Sequence, residues 1–169
     1  MAKPLVYVDT VLFLNIIQRE VDPKTGTSLW ADSLKVLLAA ARGDIRLVAS
    51  TLLLVELNGE KRDASAEFRT ERDQVVYQFL DSQDVEWVEV DHRTARDTRQ
   101  LAEQYGLRGA DAAHLATAVR RNADYFMSRD RNFPYGKTVG RSTQVVQPCV
   151  LWAPTLDDQK IDEEAGTTQ

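Results

Sequence analysis

Residues 111–133, DAAHLATAVRRNADYFMSRDRNF, decide the fold of this chain. In the first half of the stretch, apolar side chains recur three or four residues apart, which predicts a helix with one buried face. That face comprises Ala112, Leu115, Ala116 and Val119. The apolar residues 125–127 follow closely and predict a buried strand. A helix that leads into a buried strand is typical of α/β proteins, in which crossover helices connect parallel strands.

The alternation of strands and helices extends from this stretch in both directions. Two predicted helices, at residues 29–41 and 94–105, are followed by Gly43 and Gly106, which can adopt the left-handed conformation that ends a helix. We therefore predict an α/β fold with three layers, α/β/α, around a mainly parallel five-stranded sheet. The five strands are predicted at residues 5–8, 45–49, 85–90, 125–127 and 145–150.

The chain of 169 residues has the ordinary length of one domain. Residues 1–152 are predicted to form that domain, and residues 153–169 to form an acidic, flexible C-terminal tail. Residues 18–27 contain a proline and a glycine, which predicts a loop or a small insertion. The charged residues 58–72 are expected to form a mobile helical hairpin tip.

The cysteine content and the hydropathy exclude several classes of protein. Cys149 is the only cysteine, so an internal disulfide and a multi-cysteine metal site are ruled out. No apolar run approaches the roughly 18 residues that a membrane helix needs. Asp9 interrupts the N-terminal apolar stretch before it could act as a signal sequence. We therefore expect a soluble, cytoplasmic protein with no membrane partner.

The charge is distributed unevenly along the chain. The net charge is −5, yet residues 92–141 hold ten Lys and Arg side chains against five Asp and Glu. Nine of those ten bases are arginine, whose planar guanidinium binds phosphate with two parallel hydrogen bonds. The segment is compatible with an anionic partner, although on charge alone an ordinary solvated surface is the commoner explanation.

Four carboxylates lie beside apolar segments at the ends of predicted elements: Asp9, Glu56, Asp111 and Asp130. Each has an ordinary structural interpretation, and Asp111, for example, could simply stabilise a helix N-terminus. Together they could converge where the strands end, the usual place for a ligand in such a sheet. Carboxylates cannot cluster in a poorly solvated cleft without cations or raised pKa values. An all-oxygen ligand set favours Mg²⁺ or Mn²⁺, and two such ions would suit hydrolysis of a phosphodiester.

Three blocks of the sequence carry a family resemblance: VYVDT at residues 6–10, STLLLVE at residues 50–56, and residues 111–133. Their residues and order resemble the PIN-domain nucleases, most closely the VapC-type ribonuclease toxins, from about Val6 to Trp152. The resemblance implies a strand order of 3-2-1-4-5. It also implies Mg²⁺ or Mn²⁺ held by four acids that are catalytic and metal-binding, here Asp9, Glu56, Asp111 and Asp130.

The same resemblance assigns supporting positions and one departure. Thr10 and Ser128 match hydroxyl positions beside the first and last acids, where they would orient carboxylates or bound water. The family often has Asn or Ser two residues after the first acid, whereas this chain has Val11. His114, one turn after Asp111, could donate a hydrogen bond within the site, although a structural role is the commoner one for such a histidine.

The predicted function is that of a metal-dependent endoribonuclease, the toxin of a toxin-antitoxin pair. Arg129 and Arg131 flank Asp130, and Arg108 precedes Asp111, so these three arginines are the predicted contacts to an RNA substrate. A small antitoxin protein is the expected partner, and a homodimer is expected by resemblance.

Two other functions compete with the nuclease. The first is a non-catalytic PIN-type scaffold that binds RNA or a protein. The second is a phosphotransfer or nucleotide-binding protein, which the absence of a glycine-rich phosphate loop disfavours. Val11 also stands where a dehalogenase-like phosphatase would have its second aspartate.

Overall fold

One sheet of six strands organises the computed structural model, which describes residues 2–59 and 65–167. Its strands are ordered β3-β2-β1-β4-β6-β5, and neighbouring strands are parallel except for β5 and β6. In chain order the strands are β1 (Leu5–Val8), β2 (Arg46–Ser50), β3 (Glu86–Val88), β4 (Tyr125–Met127), β5 (Thr138–Val139) and β6 (Thr143–Val146).

The α/β fold with a mainly parallel sheet is confirmed, but the predicted number of strands was wrong. The structure adds β5, which pairs with β6 in the antiparallel direction at one edge. This strand has only two residues, too few for a hydropathy pattern to be visible. The strand expected at residues 145–150 lies earlier, because β6 ends before Pro148, which has no amide hydrogen for a ladder.

Eight α-helices and one π-helical segment accompany the strands in the described residues, and all but the last helix lie between strands. They are α1 (Thr10–Ile17), α2 (Leu29–Arg42), α3 (Thr51–Gly59), α4 (Ala66–Arg72), the π-helical segment (Asp73–Tyr77), α5 (Gln78–Ser82), α6 (His92–Tyr105), α7 (Gly109–Arg120) and α8 (Leu156–Thr167). As predicted, Gly43 and Gly106 end α2 and α6 with φ angles of 78° and 67°. Over the described ranges, no helix combines the length and apolar character required to cross a bilayer.

Two hydrophobic clusters lie on opposite faces of the sheet and produce the three layers. Alternate residues of β1 point to opposite sides, so Val6 and Val8 pack with α1, α2 and α3, whereas Tyr7 packs with α7. Leu12, Val36 and other side chains that belong to the first cluster are almost fully buried. The central position of β1 therefore fixes both helical layers, and its C-terminal residue, Val8, leads directly to Asp9.

The acidic C-terminal segment forms a helix, α8, in the structure, whereas the sequence predicts a flexible tail. Thr155 begins a capping box, in which Asp158 Oδ2 accepts hydrogen bonds from the Thr155 amide at 2.8 Å and the Thr155 hydroxyl at 2.9 Å. Ile161 packs against Trp30 of α2. One capping motif and one apolar contact give too weak a pattern to stand out in a polar segment. The domain boundary at residue 152 stays a prediction.

The two predicted insertions differ in how much the structure describes. Residues 18–27 contain neither helix nor named strand, and Val21 forms an isolated antiparallel bridge with Ser28, which agrees with the predicted loop. In the charged stretch at residues 58–72, α3 ends at Gly59 and α4 begins at Ala66. The predicted hairpin tip falls partly on residues 60–64, which lie outside the described residues.

Candidate metal centre

The four predicted carboxylates line one cleft at the C-terminal edge of the parallel strands. Asp9 follows β1 and Asp130 follows β4, while Glu56 lies on α3 and Asp111 lies in the first turn of α7. The cleft has a volume of about 370 Å³, and its remaining lining residues are Thr10, Val11 and Leu14. The topology thus brings together side chains that are up to 121 positions apart in the sequence.

Asp9 is held by hydrogen bonds to both of its carboxylate oxygens. Oδ1 accepts from the Thr10 amide at 2.7 Å, and Oδ2 accepts from the Ser128 hydroxyl at 2.6 Å. The Asp9 amide donates to the carbonyl of Met127 at 3.1 Å, which ties the start of α1 to the end of β4. Burial raises the pKa of Asp9, although His114 and Ser128 partly oppose this effect. Asp9 is therefore a rigid, buried carboxyl group that lacks full charge compensation.

Glu56 receives two hydrogen bonds on one oxygen. Its Oε2 accepts from the Thr10 hydroxyl at 2.5 Å and lies 2.8 Å from His114 Nε2. Burial alone would raise the pKa of Glu56, but the hydrogen bonds and the charge of His114 outweigh burial and lower it. Thr10, whose hydroxyl was predicted to orient a carboxylate or water, is thus bonded to Glu56 and, through its amide, to Asp9.

His114 is fully buried behind the cleft, on α7, and joins Glu56 to the core. Its Nδ1 lies 2.7 Å from the hydroxyl of Tyr7, which is also fully buried. Burial lowers the pKa of His114, but the hydrogen bond to Glu56 and the charges of Asp9 and Asp111 raise it overall. From the sequence, His114 was expected at most to donate a hydrogen bond within the site, and Tyr7 was not predicted to take part. The signal available was a histidine one turn after Asp111, together with a tyrosine inside VYVDT.

Ser128 connects the first acid to the last one. Its hydroxyl donates to Asp9 and accepts a hydrogen bond from the Asp130 amide at 3.1 Å. Asp130 Oδ1 accepts from the amide of Asn132 at 2.9 Å, and the Asp130 carbonyl accepts from the hydroxyl of Tyr135 at 2.7 Å. The turn after β4 is therefore fixed at several points, with the Asp130 side chain facing the same cleft as Asp9.

The cleft carries more negative than positive charge. Burial raises the pKa of Asp111, and so do the charges of Asp130, Asp9 and Glu56. Single ligand atoms of Asp9, Glu56 and His114 all lie within 4.8 Å of one another. Carboxylate oxygens are the donors that hard divalent cations prefer. The residues that are present therefore fit Mg²⁺ or Mn²⁺, which would supply the missing positive charge.

The three predicted substrate arginines lie in different surroundings. The guanidinium of Arg129 donates to Asp32 Oδ2 at 2.8 Å and is mostly buried, so an RNA phosphate would have to compete with this ion pair. Arg108 is exposed and precedes the first turn of α7, and Arg131 is exposed beside Asp130. A substrate role for all three stays a prediction.

The sequence matches the family model described as PIN domain over residues 6–136. No curated protein matches the chain.

Solved structures with a similar fold have low sequence identity to this chain. A toxin-antitoxin complex from Klebsiella pneumoniae aligns with a TM-score of 0.58 at 17% identity, covering 86% of this chain and 99% of the other. DNA-bound VapBC from Salmonella typhimurium aligns with a TM-score of 0.57 at 18% identity, covering 88% of this chain and 100% of the other. VapBC-5 from Mycobacterium tuberculosis aligns with a TM-score of 0.56 at 19% identity, covering 85% of this chain and 98% of the other. At these identities the similarity establishes the shared fold alone.

Proposed function

Because the chain belongs to the PIN domain family, we propose that it is a metal-dependent nuclease that hydrolyses RNA. The observation that carries this proposal is the convergence of Asp9, Glu56, Asp111 and Asp130 on one cleft. Carboxylates crowded into one cleft are relieved by cations or by raised pKa values, and the raised pKa values of Asp9 and Asp111 indicate that these groups lack a positive partner that a cation would supply. A phosphodiester is a substrate for which such a cation site is chemically suited.

The carboxylates of the cleft and the two hydroxyl groups beside them each have a part in this proposal. The four carboxylates hold Mg²⁺ or Mn²⁺ and are the catalytic residues. Thr10 and Ser128 keep the carboxylates in place through hydrogen bonds of 2.5 Å to Glu56 and 2.6 Å to Asp9. A bound divalent cation supplies the Lewis acid that activates water and stabilises the leaving oxygen. The protein's own contribution is a set of carboxylate oxygens, of which those of Asp9 and Glu56 are held in place by hydrogen bonds.

The arginine-rich segment at residues 92–141 supports RNA as the substrate. Arg108 and Arg131 are exposed near Asp111 and Asp130, where they would contact backbone phosphates on either side of the scissile bond. We further propose that the chain is the toxin of a toxin-antitoxin pair that acts in the cytoplasm. The similar structures from Klebsiella pneumoniae and Mycobacterium tuberculosis are a toxin-antitoxin complex and a member of a toxin-antitoxin family, which supports a small antitoxin protein as the partner.

A homodimer is also part of the proposal, and an apolar groove is its proposed contact. The groove lies between α3 and α7, has a volume of about 660 Å³, and includes Leu52, Val55, Val90 and Ala113. Val55 is 65% exposed and Val90 is 37% exposed, which is unfavourable for apolar side chains that remain in water. A second copy of the chain would cover these residues.

The decisive experiment is an RNA cleavage assay with a mixed single-stranded pool in Mg²⁺, Mn²⁺ and EDTA. We expect cleavage by the wild type with either cation and none in EDTA. In Asp111→Asn the cleavage rate should fall by at least about 100-fold, which exceeds the usual effect of changing a residue that only orients a metal ligand. Asp157→Asn is the matched control, because this exposed carboxylate lies on α8, outside the cleft. Thermal unfolding establishes that both variants are folded. Full activity in folded Asp111→Asn would contradict the site assignment.

A non-catalytic scaffold is the second candidate function. One observation favours it. The side chains of Val11 and Leu14 lie in the cleft beside Asp9, and neither has an atom that can bind a cation. Tight binding of RNA that is unchanged by EDTA, combined with no cleavage in Mn²⁺, would support the scaffold and overturn the nuclease.

A further inference from the structure

A continuous buried hydrogen-bonded path leads from the sheet to the candidate metal centre. Tyr7 on β1 and His114 on α7 have no measurable exposure to solvent. The Tyr7 hydroxyl is hydrogen-bonded to His114 Nδ1 at 2.7 Å, and His114 Nε2 is hydrogen-bonded to Glu56 Oε2 at 2.8 Å. Neither buried residue can touch a substrate, yet the path ends on a predicted metal ligand.

The two hydrogen bonds of the His114 ring determine where its proton lies. The ionised carboxylate of Glu56, whose pKa is lowered, can only accept, so His114 Nε2 must donate to Glu56 Oε2 at 2.8 Å. In the neutral imidazole, Nδ1 then has a free lone pair and accepts from the Tyr7 hydroxyl at 2.7 Å. A neutral His114 therefore carries its proton on Nε2, facing Glu56.

The distances at the metal centre alone would allow another interpretation. Asp9, Glu56 and His114 form a group that could hold one ion. A protonated Nε2 has no lone pair to give to a metal, and the imidazolium form also retains this proton. The neutral imidazole and the imidazolium both carry a proton on Nε2, so neither form of His114 can act as a metal ligand through this nitrogen.

We propose that His114 is a positioning residue that orients Glu56 for the cation, and that Tyr7 holds His114 in the Nε2-protonated form. This inference rests on the proposed metal site. Both hydrogen bonds to Glu56 fall on Oε2, and Oε1 has none from the described residues. Oε1 is therefore the oxygen that Glu56 offers to the cation, whereas Oε2 is retained by Thr10 and His114.

Long-range ¹H–¹⁵N NMR of the histidine rings tests the assignment on the full chain without RNA. The chain has two histidines, and His92→Gln, an exposed position on α6, assigns the signals of His114. We expect Nε2 of His114 to be protonated, both before and after saturation with Mg²⁺. A proton on Nδ1 alone, or loss of the Nε2 proton when Mg²⁺ binds, would overturn the proposal.

Binding of Mn²⁺, measured by electron paramagnetic resonance, provides the second readout. Tyr7→Phe should weaken Mn²⁺ by about 10- to 100-fold, the usual effect of removing a residue that orients a metal ligand. Tyr105→Phe removes a hydroxyl that is bonded only to exposed Gln104 in the described residues and should leave the affinity unchanged. Unchanged affinity in folded Tyr7→Phe would contradict the role of Tyr7.

A third variant covers the case in which Tyr7→Phe does not fold. His114→Gln keeps an amide donor for Glu56 and should bind Mn²⁺ more tightly than His114→Ala; equal affinities would contradict positioning. None of these measurements uses RNA. If the wild type binds Mn²⁺ and passes these tests but cleaves no RNA, the proposed nuclease falls and the assignment of His114 stands.

Discussion

The raised pKa values of Asp9 and Asp111 determine how we expect pH and a bound metal to change the stability of the protein. Burial is the main cause that raises both pKa values, and neighbouring acids add to it. A carboxyl whose pKa is higher in the folded state favours folding when protonated, so the metal-free protein loses this contribution as pH rises through the raised pKa values. Glu56, whose pKa is lowered, acts in the opposite direction and loses its contribution as pH falls.

We expect saturating Mn²⁺ to raise the melting temperature more at pH 8 than at pH 5, because protons compete with the cation for the same oxygens. Thermal unfolding at the two pH values, with and without Mn²⁺, measures the effect. In Asp111→Asn the metal-free protein should melt at the same or a higher temperature than the wild type, and the gain from Mn²⁺ should shrink. An equal gain from Mn²⁺ at both pH values would argue against a carboxylate site.

Residue types at the ends of predicted elements suggested the four acids, and the family resemblance added the hydroxyls of Thr10 and Ser128. His114 was expected at most to donate one hydrogen bond within the site, and Tyr7 was not predicted to take part. The reason is physical: the Tyr7–His114 contact spans 107 positions and exists only when α7 packs on β1. A buried tyrosine in a strand is normally explained by packing alone, and no local pattern reveals the partner of its hydroxyl.

Among the elements, α8 shows how a capping motif can establish a helix whose composition is polar. Asp158 accepts from Thr155, and it also accepts from the indole nitrogen of Trp152 at 3.0 Å. Burial raises the pKa of Asp158, but the hydrogen bonds and the charge of Arg42 outweigh burial and lower it. Its contribution to stability is therefore complete at neutral pH and is lost as pH falls through the folded-state pKa, which lies below that of an ordinary aspartate.

We expect Asp158→Ala to lower the free energy of unfolding by about 1–3 kcal/mol, since it removes a cap and leaves the partly buried donors of Trp152 and Thr155 without this partner. Urea unfolding at pH 7 measures the change. Asp157→Ala is the control in the same turn and should stay within about 0.5 kcal/mol of the wild type, as expected for an exposed position. If Asp158→Ala were as stable as the control, the capping box would not hold the helix.

Periodicity predicted the elements that have a clear apolar face, such as α2 and α7, and glycine predicted two of the helix ends. The same reasoning missed β5 because two residues carry no period, and it missed α8 because a few contacts to α2 replace a continuous apolar stripe. Both missed elements lie at the periphery, so the position of the cleft at the end of β1 and β4 does not depend on them.

At the scale of the whole molecule, the apolar groove between α3 and α7 predicts self-association. Val55→Glu should shift the protein from dimer to monomer, because a buried unpaired carboxylate is strongly unfavourable in an interface. Sedimentation velocity at several concentrations measures the shift. Leu156→Glu is the control, since Leu156 is 74% exposed on α8 and lies outside the groove. A wild type that stays monomeric at high concentration would contradict the proposed dimer.

The packing of α8 also places two tryptophans where their fluorescence depends on this helix. Trp30 packs with Ile161, and the Arg19 guanidinium lies 4.2 Å from the centre of the Trp30 ring. The indole nitrogen of Trp152 donates a hydrogen bond to Asp158. The third tryptophan, Trp87, is 40% exposed on the edge strand β3. Release of α8 would therefore shift the emission of two indoles to the red, while Trp87 would remain the residue that external quenchers reach first. Intrinsic fluorescence can thus follow the C-terminal helix separately from the rest of the fold.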